Sequence, residues 1–379
     1  MKIVYLYPAL TTVGGADRII TEKANYLAEK CGYEVYIITA HQNGKPLFFP
    51  LFQKVKHIDL GVDFNKQYNH SFIIRGWIYF KLLRIYKRKL TKTLHSIHPD
   101  FTITTISRDI DFLTSIKDGS KKIAEAHTTK KNLRNLQAMI DKGGGYKIIG
   151  EAWTRKMEKA IRRFDALVVL TEHDAKEWKG VKNAVIIPNS LPFYPEKINY
   201  KNNRKAISIG RLEIEKGHDR LIEVWELVVK KHPDWSLDIY GEGTLKEFLL
   251  NQIKNKKIEN NINIIAPVSN ISEKYNESSF YIMTSRYEGF GMVLVEAMAH
   301  GLPCVSYDCP DGPRCIINDG EDGYLIKDGD VQQMVEKICY LIEHENEIKE
   351  MGKKARINVL RYKNNVIMPQ WVSLFNQLK

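Results

Sequence analysis

Ser285-Arg286-Tyr287-Glu288-Gly289-Phe290-Gly291-Met292-Val293-Leu294-Val295-Glu296-Ala297-Met298-Ala299-His300-Gly301 follows a short apolar run at 280–284 that reads as a strand. The chain then turns through Gly289 and Gly291 and enters a helical pattern that Gly301 ends. A strand, a glycine turn and a helix in that order leave the backbone N–H groups of Phe290, Gly291, Met292 and Val293 at a helix N-terminus, where they suit a phosphate or sugar hydroxyls. Glu288 lies in the turn and Glu296 within the helix, eight residues apart. They cannot share one helical face, so each is expected to address a different part of one ligand.

Outward from this motif the same alternation recurs. Residues 206–209, 236–240, 263–266 and 304–307 are short apolar strands, most of them followed by a turn and a helix. In the first half, 2–7 and 33–40 read as strands around a helix whose Ala16, Ile19, Ile20, Ala24, Leu27 and Ala28 recur at helical spacing. Further strands are expected at 101–106, 122–126, 166–171 and 184–188. Such alternation predicts parallel sheets covered by helices on both faces. A polar break at 194–203 reads as a linker. The expectation is therefore an α/β chain of two Rossmann-like doubly wound domains, 1–195 and 196–360, facing each other across a cleft at the carboxyl ends of their strands. The last segment, 361–379, places Ile367, Trp371, Leu374 and Phe375 on one side of a helix that is expected to cross back to the first domain.

Composition narrows the class. Fifty-seven Lys and Arg against 45 Asp and Glu give a formal charge of +12, which attracts nucleotides, anionic lipid or nucleic acid. The N-terminal apolar run stops at Pro8, and no stretch approaches the roughly 18 apolar residues of a membrane span. Five cysteines with no Cys-x-x-Cys pair argue against a disulfide framework or a zinc site, so a cytoplasmic protein is expected. From Ser71 to Pro99 there are seven basic residues and no acid, interleaved with Phe72, Trp77, Tyr79, Phe80 and Tyr86 among others. A helix of that kind either lies on an anionic membrane surface or packs as an ordinary amphipathic helix on the core.

A second motif is Ser208-Ile209-Gly210-Arg211-Leu212-Glu213-Ile214-Glu215-Lys216-Gly217, where a strand exit and a glycine turn precede two cations and a helix. Tyr240-Gly241-Glu242-Gly243 ends the next strand, and Thr11-Thr12-Val13-Gly14-Gly15-Ala16 joins the first strand to its helix. Together with the Glu288–Glu296 stretch, these motifs closely resemble the retaining glycosyltransferases of family 4. The likeness is densest over 206–325, thinner over 2–190, and without a signature at 41–99.

That resemblance implies the GT-B fold and a set of roles. Glu288 contacts the donor sugar and Glu296 holds the ribose hydroxyls, since a carboxylate accepts two hydrogen bonds from vicinal diols. Arg211 and Lys216 clamp the diphosphate and neutralise the departing nucleotide without a metal. Gly210 and Gly241 line the nucleotide turns, Val268 lies where relatives read the base, and Gly14 and Gly15 face the donor phosphate and acceptor. His127, at the end of the 122–126 strand, stands where a family histidine lies beside the reacting sugar. One departure is Cys315, where many relatives carry glutamate. Asp328-Gly329-Asp330 looks like a metal-binding Asp-x-Asp but reads as a turn with an N-cap.

The function implied is transfer of a hexose or N-acetylhexosamine from a nucleotide diphosphate sugar, UDP-sugar first, to a glycan or lipid-linked saccharide acceptor in cell-surface polysaccharide assembly. The expected site residues are His127, Glu288, Arg211 and Lys216 for the chemistry, with no metal and no other cofactor. Partners are the nucleotide sugar, the acceptor and an anionic membrane surface, but no nucleic acid, since the motifs of nucleic-acid readers are absent. Rival readings are a sugar-nucleotide epimerase or phosphorylase of the same architecture, and a basic nucleic-acid binder. Front-face attack and a covalent intermediate both remain open as routes to retention.

Overall fold

The computed structural model describes residues 1–12, 14–191, 193–196, 198 and 203–379. Val13 of the first glycine loop, and 197 and 199–202 of the expected linker, lie outside them. The chain divides into two compact units: Met1–Pro188 with Met368–Lys379, and Asn189–Ile367.

The first unit holds strands β1 (Lys2–Tyr7), β2 (Glu34–Thr39), β3 (Lys56–Asp59), β4 (Phe101–Thr104), β5 (Lys121–Glu125), β6 (Ala166–Val169) and β7 (Ala184–Ile186). Its helices are α1 (Gly15–Glu29), α2 (Phe72–Ile97), α3 (Leu136–Asp141), α4 (Gly144–Ile161) and α5 (Glu172–Glu177). The strands pair in the order β3-β2-β1-β4-β5-β6-β7, every pair parallel. Ile3 to Leu6 are wholly buried, as the near-continuous apolar run of a strand covered on both faces requires.

The second unit repeats the plan with β8 (Lys205–Ile209), β9 (Ser236–Tyr240), β10 (Ile262–Ile265), β11 (Phe280–Met283), β12 (Cys304–Tyr307) and β13 (Gly323–Ile326). Between and after them run α6 (His218–Lys231), α7 (Lys246–Lys256), α8 (Ile271–Asn276), α9 (Met292–Ala299), α10 (Gly312–Ile316), α11 (Val331–Glu343), α12 (Glu345–Asn358) and α13 (Asn364–Leu378). The order is β10-β9-β8-β11-β12-β13, again parallel throughout. Leu221, Ile222, Trp225, Val228 and Val229 form the buried stripe of α6, and Trp235 stacks on Phe280 at 5.4 Å. The chain reverses its direction of growth between β1 and β4 in one unit and between β8 and β11 in the other, the points at which such sheets bind ligands.

Two strands had no counterpart in the sequence reading. Both β3 and β13 are edge strands, and Lys-His-Ile-Asp at 56–59 has no apolar run because an edge strand needs none. The C-terminal α13 straddles the division between the units: from Met368 onward it packs within the first, with Phe375 against Phe101 at 4.8 Å.

Candidate active site

In the second unit the turns after β8, β9 and β11 are pressed together backbone to backbone. A Cβ on Gly241 would fall 2.0 Å from the Gly210 carbonyl oxygen, and one on Gly217 would fall 2.0 Å from that of Thr284. Gly217 also sits at φ +66, which costs glycine little. The turns are pinned further by side chains. Glu213 accepts from both Thr244 N–H and Oγ1, and Arg286 grips Asp219 through two bonds of 2.8 and 2.6 Å while its backbone N–H donates to the Glu215 carbonyl.

Lys216, carried at the end of this first turn, donates through Nζ to Glu288 Oε1 at 2.7 Å, and Ser285 Oγ donates to the same oxygen at 2.7 Å. Glu288 is buried and Lys216 half-buried, so the pair lies at the boundary between core and solvent. Arg211 does not join them: it is 69% exposed and donates to Glu215 Oε1 at 2.6 Å. The Tyr287 hydroxyl lies among these groups. Burial foremost raises its pKa, Glu215 and Glu288 push the same way, and Arg211 and Lys216 oppose.

Glu296 is buried in α9, where Tyr275 donates to its Oε2 at 3.3 Å. His300 stacks on Tyr275 at 4.8 Å and is fixed through Nδ1 by the Glu296 carbonyl and through Nε2 by Ser272. Tyr281, from β11, is tied to the end of β8. Its hydroxyl donates to the Ile209 carbonyl at 3.1 Å, and its pKa is held well above 10 by burial, with Glu288 and Glu296 both contributing. The charges of Glu288 and Glu296 thus both act on one buried tyrosine although they lie on different elements.

Gly210 lies beside His218, whose imidazole is buried and pushed down to about 4 by desolvation. Gly291 takes φ +95 and starts α9, so the first-turn amides of Met292 and Val293 point out of the helix N-terminus beside Gly289 and Phe290. Val268 is exposed after β10, two strands from the β8–β11 reversal. Asp330 caps α11 by accepting from Gln333 N–H at 3.0 Å, and Asp328 accepts from Arg220, so this pair of aspartates is a turn and a cap. Cys315 lies in α10, where its carbonyl accepts from Tyr362 and Arg361.

In the first unit Gly14 precedes α1 with an ordinary extended φ, its N–H donating to Thr12 Oγ1 at 3.2 Å, and the space around Gly15 is open. The loop is anchored by Asp17, which accepts from Thr12 N–H, Thr12 Oγ1 and the Tyr7 hydroxyl. His127 lies just beyond β5, largely buried, with Nε2 3.4 Å from Glu125 Oε1. Asp17, Ser285, Tyr275 and Tyr281 were missed by sequence reading. Tyr281 and Ser285 lie in and just after β11, where a polar group in an apolar run is the only signal, whereas Asp17 and Tyr275 lie in helices α1 and α8 and carry none.

Helix α2 divides along its length. Tyr86, Leu90, Leu94 and Ile97 enter the core at a spacing of about four residues, whereas its first turns leave Trp77 66% and Phe80 63% exposed, with Lys81 over the Trp77 ring at 5.3 Å. Among the described residues no helix is long and apolar enough to cross a membrane, and no group of three or more His, Cys, Asp or Glu could hold a metal ion.

Residues 193–358 match the family model described as glycosyl transferases group 1. An uncharacterized glycosyltransferase of Haemophilus influenzae is 28% identical over 376 residues, covering 98% of both chains. The poly(ribitol-phosphate) alpha-N-acetylglucosaminyltransferase of Staphylococcus aureus is 32% identical over 230 residues, which span 59% of this chain and 47% of that one. Among solved structures, a variant of S. aureus TarM in complex with fondaparinux, alpha-GlcNAc-glycerol and UDP superposes with a TM-score of 0.78 at 18% identity, over 99% of both chains. The two Rossmann-like units thus have the GT-B fold.

Proposed function

We propose that this chain, whose residues 193–358 match the family model described as glycosyl transferases group 1, is a retaining, metal-independent glycosyltransferase of family 4 that takes a hexose or N-acetylhexosamine from a UDP-sugar. The observation that carries the reading is the meeting of Lys216 and Glu288 at the β8–β11 reversal, with the α9 N-terminus beside them. A cation and backbone amides suit a diphosphate, and a buried carboxylate suits sugar hydroxyls.

The donor nucleotide binds the second unit and the acceptor the first. The anomeric bond to the β-phosphate breaks, a bond to the acceptor oxygen forms with the same anomeric configuration, and the proton of the acceptor hydroxyl passes to the oxygen of the leaving diphosphate. Lys216 and Arg211 stabilise the charge gathering on the leaving diphosphate, which is why no metal is needed. Glu288 orients the sugar, Glu296 holds the ribose, and His127 acts beside the reacting carbon. Uracil as the base is supported by the UDP held in the TarM structure. Retention is supported by the S. aureus relative, whose name specifies an alpha product: UDP-N-acetylglucosamine is itself alpha-linked.

The acceptor we propose is a glycan or lipid-linked saccharide of cell-surface polysaccharide assembly, reached at an anionic membrane by the exposed start of α2 in a protein of the cytoplasm. Calorimetry across UDP-, GDP- and ADP-sugars in the presence of chelator tests the donor. Binding of one UDP-sugar is expected; binding of none, or only with a divalent metal present, sinks the reading.

A further inference from the structure

Lys23, Glu125 and His127 form a charged row inside the first unit. Lys23 projects from α1, Glu125 is the last residue of β5, and His127 follows two residues later. Lys23 Nζ donates to Glu125 Oε1, and the two side chains are only 3% and 1% exposed. Trp371, from the returning part of α13, covers the ammonium with its ring centroid 4.5 Å away. Oε1 of Glu125 also faces His127 Nε2, at 3.4 Å, and that nitrogen makes no hydrogen bond among the described residues. From β1 the Tyr5 hydroxyl acts on the same carboxylate and is kept protonated, chiefly by burial and then by Glu125.

An isolated carboxylate next to an imidazole draws a second proton onto the ring. Here the carboxylate is neutralised from its other side. Burial consequently governs the histidine and holds it down to about 4, with Glu125 opposing and Lys23 adding to the depression. A neutral ring suits its place, because positive charge develops on the sugar in a glycosyl transition state and an imidazolium there would repel it.

We propose that Glu125 and Lys23 are positioning residues for His127: the carboxylate charge facing Nε2 at 3.4 Å keeps the proton on that nitrogen, so that Nδ1 is the free acceptor, and the ammonium cancels the charge that would make the ring a cation. This rests on the reading of His127 as the residue beside the reacting sugar. Trp371 completes the arrangement by sealing the ammonium from water, which gives the returning helix a part in the chemistry of the first unit.

Nitrogen NMR of the imidazoles in the full chain tests it, with the His127 signal assigned by its loss in H127Q. The wild-type ring is expected to stay neutral and Nε2-protonated from pH 5 to pH 8, about a unit or more above the depressed midpoint. K23M is expected to raise its proton affinity at least about tenfold and to move the acid limb of kcat/KM upward with it, while K23R restores both. An unchanged titration in K23M, or an Nδ1-protonated ring in the wild type, overturns the proposal. Should K23M fail to fold, K23M/E125L decides, since it leaves no unpaired charge. In that double variant, which lacks the carboxylate, a mixture of tautomers supports the proposal and a pure Nε2–H form contradicts it. If H127Q transfers sugar at the wild-type rate, the role of His127 fails while the titration result stands, so the two are separable.

Discussion

Lys216 and Glu288 meet at 2.7 Å across 72 residues of chain, one carried by the turn after β8 and the other by the turn after β11. Neither turn alone makes a site. The pair exists because Gly217 lets the two backbones touch and because Ser285 supplies the second hydrogen bond to the carboxylate. A diphosphate arriving at Lys216 shares a cation already held in place.

If backbone contact between the turns sets this geometry, adding one methyl group disturbs it. Gly241→Ala drives a Cβ into the Gly210 carbonyl at 2.0 Å, and Gly312→Ala into that of Phe290 at 2.2 Å. Each is expected to cost about 1–3 kcal/mol of stability, as overpacking does, with a lower Tm and a larger loss of transfer than of secondary structure. Thermal melts and initial rates check this. Wild-type rates in both variants would mean the turns tolerate rearrangement.

Glu296 is expected to hold ribose. In Glu296→Ala the affinity gap between UDP and 2′,3′-dideoxy-UDP should close by about 1.5–3 kcal/mol, the worth of hydrogen bonds to a charged group. Because Tyr275 also loses a partner, the ratio of the two affinities is the quantity to measure by calorimetry. An unchanged ratio assigns the carboxylate to Tyr275 alone.

His218 gives a pH dependence. Its folded pKa of about 4 lies below the ordinary 6.5, with burial the main cause; Lys216 adds to the depression, and Asp219, Glu288 and a Gly210 contact oppose it. The unfolded chain therefore takes up the proton first. Stability from this group is full above about 6.5 and is lost as pH falls toward 4, by up to about 3 kcal/mol. His218→Gln should flatten the wild-type decline of Tm between those pH values. Parallel curves for both proteins would rule the group out.

Much of this was legible beforehand, for a physical reason. Parallel strands buried on both faces are continuous apolar runs, so 280–284 announced β11 at Phe280–Met283, and the glycines after 206–209, 236–240 and 280–284 announced turns. What stayed hidden depends on distance in the chain or on exposure. Lys23 and Glu125 are 102 residues apart, and nothing in either segment names its partner. Edge strand β3, Lys-His-Ile-Asp, has no buried residue and so leaves no apolar pattern. Arg211 reads as a companion of Lys216, yet its long side chain reaches Glu215 four residues on, a choice made by local geometry alone.

The start of α2 offers a membrane test. Trp77 and Phe80 stand exposed on a helix with no acid from Ser71 to Pro99. Flotation with anionic vesicles should carry the protein up, neutral vesicles should not, and W77A/F80A should weaken the association at least about tenfold, as loss of buried aromatic area implies. Equal recovery from neutral and anionic vesicles would remove the role of the basic residues.

The central claim is that Lys216 grips a pyrophosphate, and calorimetry with UDP and uridine, in chelator, tests it most directly. Wild-type protein is expected to bind UDP far more tightly than uridine, and Lys216→Ala to lose about 2–4 kcal/mol of that difference, the scale of a preorganised electrostatic contact, with its Tm little changed. If the preference for UDP is the same with and without the lysine, the pyrophosphate is held elsewhere and the account fails.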